Sequence, residues 1–183
     1  RAAHLSVEGA AEIFSRWVKV FTGKRKAKVS PTEPIAEQVA EAGGATPRDY
    51  RSETLGILMT LPPAGFERLS QRVLREAGFT QVTVTGKSGD GGIDGFGTLQ
   101  VNALVSFKVL FQCKRYAKSV SAPEVRDFRG AMSGRADKGI ILTTGTFTAD
   151  ARREATREGV HPLELIDGDR LLDILEKLEL GLR

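Results

Sequence analysis

The chain has 183 residues, 40% hydrophobic and 27% charged, with a net charge of +4 and one cysteine. That composition suits a globular protein with room for one good core and an appendage. It offers no run of about 18 apolar residues to span a membrane, and the lone Cys113 cannot form an internal disulfide, which fits a reducing cytoplasm.

Residues 1–48 read as a linker, or as the remnant of a preceding domain. Ile13, Phe14, Trp17, Val18 and Phe21 recur at helical spacing and predict a short amphipathic helix ended by Gly23. A basic cluster, Lys24-Arg25-Lys26-Ala27-Lys28, follows it, then Pro- and Gly-rich punctuation. The first residue is Arg1 rather than Met, so the chain is expected to be a piece of something longer.

From Tyr50 onward the pattern is regular. Leu55, Leu58 and Met59 predict a helix, and Pro62-Pro63 interrupts it. Phe66, Leu69, Val73 and Leu74 mark a second helix, with Gly78 where a C-terminal cap belongs. Gln81–Thr85 alternates like a strand, a glycine-rich turn spans Gly86–Gly95, and two more strands run over Phe96–Val101 and Val105–Arg115. Ser121-Ala-Pro-Glu124 is a capping-box pattern opening a helix with Val125, Phe128 and Met132 inward. Lys138–Thr144 predicts a strand, Thr148–Glu158 a helix stopped by Gly159, and Leu163–Ile166 another strand. Asp169 is expected to cap a last helix that buries Leu171, Leu172, Leu175 and Leu178. This order predicts an α/β domain over residues 49–183, a mixed sheet with helices outside.

Three places bear residues capable of chemistry. At the end of the long strand, alternation puts Gln112 and Lys114 on one face and Phe111 and Cys113 on the other. Cys113 therefore reads as core rather than nucleophile. Taken singly, Lys114 is equally a lysine snorkelling at a sheet edge. In the turn, glycines around Asp90 and Asp94 permit close backbone approach to a ligand, or simply a tight turn with two capping aspartates. Gln81 excludes a phosphate-binding P-loop, and Gly92 and Val101 exclude a calcium-binding helix-loop-helix. Glu67 lies seven positions before Leu74, so it borders its helix's buried stripe. Two carboxylates, an amide oxygen and an ammonium together are the hard oxygen donors and the cation that a Mg²⁺-dependent hydrolase needs, provided they converge. His4 and His161 have no second ligand at metal spacing and read as structural.

Charge points the same way. Residues 108–138 carry eight basic and three acidic side chains, whereas residues 139–183 carry six and nine. A basic stretch of this kind is either a phosphate-facing surface or an ordinary solvated face.

The runs Phe66-Glu67, Gly78-Phe79, Lys87-Ser88-Gly89-Asp90-Gly91-Gly92-Ile93-Asp94-Gly95 and Gln112-Cys113-Lys114-Arg115-Tyr116 resemble the Mrr-type restriction endonuclease domain of the PD-(D/E)xK nuclease superfamily. Arg126-Asp127-Phe128-Arg129-Gly130-Ala131-Met132 and Gly139–Phe147 extend the resemblance, which runs from about Tyr50 to the C-terminus. It implies a restriction-endonuclease-like core, with Asp94 as principal metal ligand and the Cys113 carbonyl as a backbone ligand. Gln112 stands at the position held by glutamate in most of the superfamily. Lys114 is then the catalytic lysine and Glu67 the acid of the first core helix, reaching the metal directly or through water, while Asp90 plays a supporting role. The implied cofactor is Mg²⁺, with Mn²⁺ able to substitute.

The implied substrate is double-stranded DNA, foreign and typically methylated. Two strands suggest a homodimer or a higher homo-oligomer, in a prokaryotic cytoplasm and away from membranes. Target recognition in the family sits in an N-terminal winged-helix domain that these residues do not display. Lys87, Arg115, Lys118, Arg126 and Arg129 are candidates for phosphate contacts, with salt bridges to Glu124 or Asp127 as the alternative. Thr143 and Thr144 are either hydrogen-bonding residues near the site or ordinary strand residues. Two other functions remain on this scaffold: a catalytically silent DNA-binding module, and a repair or junction-resolving nuclease.

Overall fold

A computed structural model describes residues 47–85 and 91–180. The expectations for residues 1–46, and those for Lys87 and Asp90, lie outside the described residues. Two helices come first: α1 (Pro47–Thr60) and, after Pro62 has broken the chain, α2 (Pro63–Glu76). Gly78, at φ +93°, closes α2 by donating its amide to the Arg75 carbonyl at 3.0 Å, in the left-handed conformation expected of a C-terminal cap. An antiparallel meander follows, β1 (Phe79–Val84), β2 (Gly95–Asn102) and β3 (Val105–Lys114). The short strand β4 (Ser119–Val120) leads into α3 (Ala122–Met132) and β5 (Lys138–Thr143). The chain finishes through β6 (Thr146–Phe147), α4 (Ala149–Ala155), β7 (Leu163–Ile166) and α5 (Gly168–Lys177).

Five strands form one mixed sheet in the order β1-β2-β3-β5-β7, with β3, β5 and β7 parallel. Parallel neighbours need crossovers, and α3 and α4 supply them. A core lies on each face. Phe66, Val73 and Leu74 of α2 and Leu171, Leu172 and Leu175 of α5 pack on Val109, Phe111 and Leu142. On the opposite face Val125, Phe128 and Met132 of α3 and Ala151 and Ala155 of α4 cover Leu110, Ile141 and Leu165. Being covered on both sides, β5 is buried at every residue, which explains the apolar run Gly139–Leu142 between Lys138 and Thr143.

Four expectations need correction. β1 starts earlier and does not alternate: a bulge at Gln81 (φ +52°) shifts register between Thr80 and Thr83, so Phe79 and Val82, three apart, are both buried. Asp167, not Asp169, caps α5, accepting from the Arg170 amide at 3.0 Å. The helix expected over Thr148–Glu158 is α4, which Thr148 caps but which ends at Ala155, well before Gly159. The two-residue strands β4 and β6, paired with each other, were too short to leave a periodic signal.

Candidate active site

The carboxyl end of β3 lies beside the start of β2, since Gly95 pairs with Phe111. A cleft of about 300 Å³ opens there, and Glu67, Asp94, Gln112 and Lys114 all line it. Residues far apart in the chain thus line one cleft. Residues from both layers contribute: Glu67 comes from α2 on one face of the sheet, while strand alternation turns Gln112 and Lys114 toward α3 on the other.

Asp94 is held at three points. Its amide donates to the Phe111 carbonyl (3.0 Å), its carbonyl accepts from Thr85 (2.8 Å), and its Oδ2 accepts from the Cys113 amide (2.5 Å). Glycine makes this approach possible. A Cβ on Gly95 would stand 2.3 Å from the Thr83 carbonyl oxygen and 2.4 Å from the Phe111 ring. Gly92, at φ +81°, lies so near Gln112 that a Cβ would meet the amide nitrogen at 2.0 Å.

Gln112 is buried, and its Oε1 has no hydrogen-bond partner among the described residues. An unpaired buried acceptor costs about 1–3 kcal/mol, so its presence at the rim of a carboxylate-lined cleft needs a reason. A divalent cation is a fitting one: two carboxylates and one neutral amide are hard oxygen donors of the kind that hold Mg²⁺. Among the described residues no three His, Cys, Asp or Glu side chains gather at a metal site. The cleft offers two carboxylates and an amide.

Lys114 Nζ stands 3.1 Å from Glu124 Oε1 and 3.5 Å from the Tyr116 hydroxyl, with the Tyr116 ring centroid at 5.2 Å. Its carbonyl accepts from the Thr143 hydroxyl at 2.7 Å, which ties the end of β3 to β5. Thr144 donates to the Tyr116 carbonyl at 3.0 Å. Both threonines therefore brace the strand ends behind the site. Burial pushes the Cys113 thiol well above its ordinary range, an effect that a Ser70 hydrogen bond opposes and that Asp94 and Glu67 add to. It remains a protonated core group and not a nucleophile.

The phosphate candidates separate. Lys118 is exposed and Arg126 half exposed, 3.4 Å from Glu154. Arg115 lines the cleft but donates from Nη1 to the Met59 carbonyl at 2.5 Å, fastening the end of α1 to β3. Arg129 does not fit the expectation of a DNA contact. It is 8% exposed, within the buried stripe of α3, and paired with Glu154 at 2.5 Å and the His161 carbonyl at 3.1 Å. Its partner is neither Glu124 nor Asp127, because the arginine packs against α4 rather than along its own helix. His161 itself is exposed and serves through its backbone. In the sequence Glu124 stands as a cap and as a salt-bridge alternative for the basic residues Lys87, Arg115, Lys118, Arg126 and Arg129. Nothing local in its pattern pointed to Lys114.

A family model described as a restriction endonuclease, Mrr_cat, matches residues 58–175. The chain is 33% identical over 160 residues to the type IV methyl-directed restriction enzyme EcoKMrr of Escherichia coli (strain K12), covering 85% of this chain and 50% of that protein. Among solved structures, the DNA modification-dependent restriction endonuclease AspBHI matches with a TM-score of 0.61 at 22% identity, over 92% of this chain and 44% of that one. The MspJI restriction endonuclease, solved in complex with a 27-mer oligonucleotide, matches with a TM-score of 0.59 at 26% identity, over 79% and 36%. The chain thus spans half or less of the length of these relatives, and shares with the solved ones a mixed sheet flanked by helices. With a family model over most of its folded core and a relative at one-third identity, the chain belongs to the Mrr-type restriction endonuclease family.

Proposed function

We propose that residues 49–183 are the catalytic unit of a Mg²⁺-dependent endonuclease that hydrolyses phosphodiester bonds in foreign, methylated double-stranded DNA. The observation that carries this reading is the cleft at the end of β3, where two carboxylates, an unpaired buried amide oxygen and a lysine face one space. The substrate class rests on the relatives, which are methyl-directed or modification-dependent restriction enzymes.

In this reading Asp94, Gln112 and the Cys113 carbonyl hold the cation, with Glu67 joining directly or through water. Mg²⁺ held there would polarise the phosphoryl oxygen as a Lewis acid and ease deprotonation of a bound water to the attacking hydroxide, and Mn²⁺ would do the same. The chain's own residues do the rest. Asp94, fastened at three backbone points, gives the site a fixed origin. Lys114 presents its ammonium to the negative charge that grows on the phosphoryl oxygens, or orients the attacking hydroxide. Lys118 and Arg126, on the exposed surface, meet flanking phosphates without reading bases. Cutting both strands of a duplex calls for two such clefts, which a homodimer in the cytoplasm supplies. Among the described residues no helix is long and apolar enough to cross a membrane.

The test is nicking of methylated and unmethylated plasmid with Mg²⁺ or Mn²⁺. Lys114→Ala and Asp94→Ala are each expected to lose at least about 10²–10³-fold in rate, with melting temperatures near wild type. Wild-type protein inert on both plasmids, or variants that still cleave, would overturn the proposal.

A further inference from the structure

Glu124 divides its two oxygens between different tasks. Oε2 accepts from the Ser121 amide and the Ser121 hydroxyl, both at 2.8 Å, closing the first turn of α3. Oε1 lies 3.1 Å from Lys114 Nζ. We infer that Glu124 is the positioning residue for Lys114, so that the capped end of α3 aims the ammonium into the cleft. The inference rests on Lys114 acting in the reaction proposed above.

The physical argument is one of restraint. A lysine side chain carries about 2 kcal/mol of rotamer entropy, and a strand fixes only its root. The root is well fixed here, because the Lys114 carbonyl accepts from the Thr143 hydroxyl and from the Thr144 and Tyr116 amides. The far end meets the Tyr116 ring and hydroxyl and the Glu124 carboxylate. A carboxylate on a free stem would constrain little. This one is clamped by two hydrogen bonds at its other oxygen, so its Oε1 is a stationary partner. The pair is only partly open to water, with side-chain exposures of 13% for Lys114 and 28% for Glu124, so screening between the charges is incomplete. Burial pushes the Glu124 carboxyl up, yet the Ser121 and Lys114 hydrogen bonds outweigh it and keep the group below its ordinary value and ionised.

A cap and a positioning residue respond differently to one substitution. In Glu124→Gln the amide oxygen still accepts from Ser121, so α3 remains capped, while the charge facing Lys114 disappears. The expected result is a melting temperature close to wild type, a kcat for nicking reduced about 100-fold, the loss typical of a displaced reacting group, and a KM for DNA within about twofold. Glu124→Asp, which keeps the charge on a shorter arm, recovers part of the loss. The Lys114→Ala, Glu124→Gln double variant is no slower than Lys114→Ala alone, because both act through one group.

A second readout needs neither metal nor DNA. Acylation of Lys114 by an amine-modifying reagent at fixed pH, followed by mass spectrometry against Lys108 as reference, rises several-fold in Glu124→Gln. Wild-type kcat and unchanged Lys114 acylation in Glu124→Gln, with stability lost in Glu124→Ala, would reduce Glu124 to a helix cap. A faster Glu124→Gln enzyme would show the pair to be a restraint on activity and overturn the inference. Should wild-type protein fail to cut any DNA, the endonuclease reading fails, and the acylation result alone decides whether Glu124 holds Lys114.

Discussion

At Gln112 one atom ties stability to function. Its buried Oε1 has no partner among the described residues, a cost that the proposed cation would offset. Glutamate there replaces a dipole with a full charge, so Gln112→Glu is expected to bind Mg²⁺ and Mn²⁺ more tightly by calorimetric titration; an unchanged isotherm would remove Gln112 from the ligand set. Glu154 poses a different test. Hydrogen bonding from Arg129 chiefly, with Arg157 and Arg126 adding to it and burial opposing, holds its carboxyl below its ordinary value of 4.5. A depressed folded-state value means stabilisation that is present above 4.5 and lost as pH falls through the folded value. Melting temperature should therefore fall less steeply with falling pH in Glu154→Gln than in wild type, measured by circular dichroism melts from pH 6 downward. Arginine at position 129 looked like a phosphate contact because charge patterns report polarity and not direction. Only the packing of α3 on α4 shows that it points inward.

The Gly78 stop of α2 and the capped start of α3 were legible, because a cap is a contract between residues three or four apart. The reach of Glu124 back to Ser121 follows from such spacing. The start of α5 was misplaced by two residues, since Asp167 and Asp169 each offer a suitable side chain and local pattern does not separate them. The structure makes the difference measurable. Asp167→Ala removes both the cap on Arg170 and a 2.7 Å contact with Arg152, and should cost about 1 kcal/mol in urea unfolding. Asp169→Ala, at an exposed position, should stay within about 0.5 kcal/mol of wild type. Equal losses would show the cap assignment to be mistaken. β1 defeated alternation for a physical reason: a bulge inserts one residue, so the buried side chains fall three apart instead of two.

For the whole molecule, stability and site geometry depend on the same sheet. Phe128 is fully buried in the core between α3, α4 and the sheet, and α3 also carries Glu124. Phe128→Ala should lower stability by about 3–5 kcal/mol and should reduce nicking activity even at temperatures where the variant stays folded, since a loosened α3 no longer holds the end of Lys114. Full activity in a folded, destabilised variant would separate the helix from the site. The α/β layering was readable in advance because each layer writes its own period into the chain: β5, covered on both faces, carries the apolar run Gly139–Leu142, and α5 shows its stripe of leucines. The residue types of the site were readable too, as Asp94 sits in a glycine-rich turn and Gln112 and Lys114 at the end of a long strand.

What the sequence determined by itself is whatever depends on neighbours within a few positions, namely periods, caps, turns and the chemical kind of each candidate group. Tertiary structure alone decided which distant groups meet: Lys114 with Glu124, Arg115 with the carbonyl of Met59, Arg129 with Glu154, and Glu67 in the cleft with the end of β3. The reason is that side chains pair through space, and the spacing between such partners along the chain carries no period for local pattern to display.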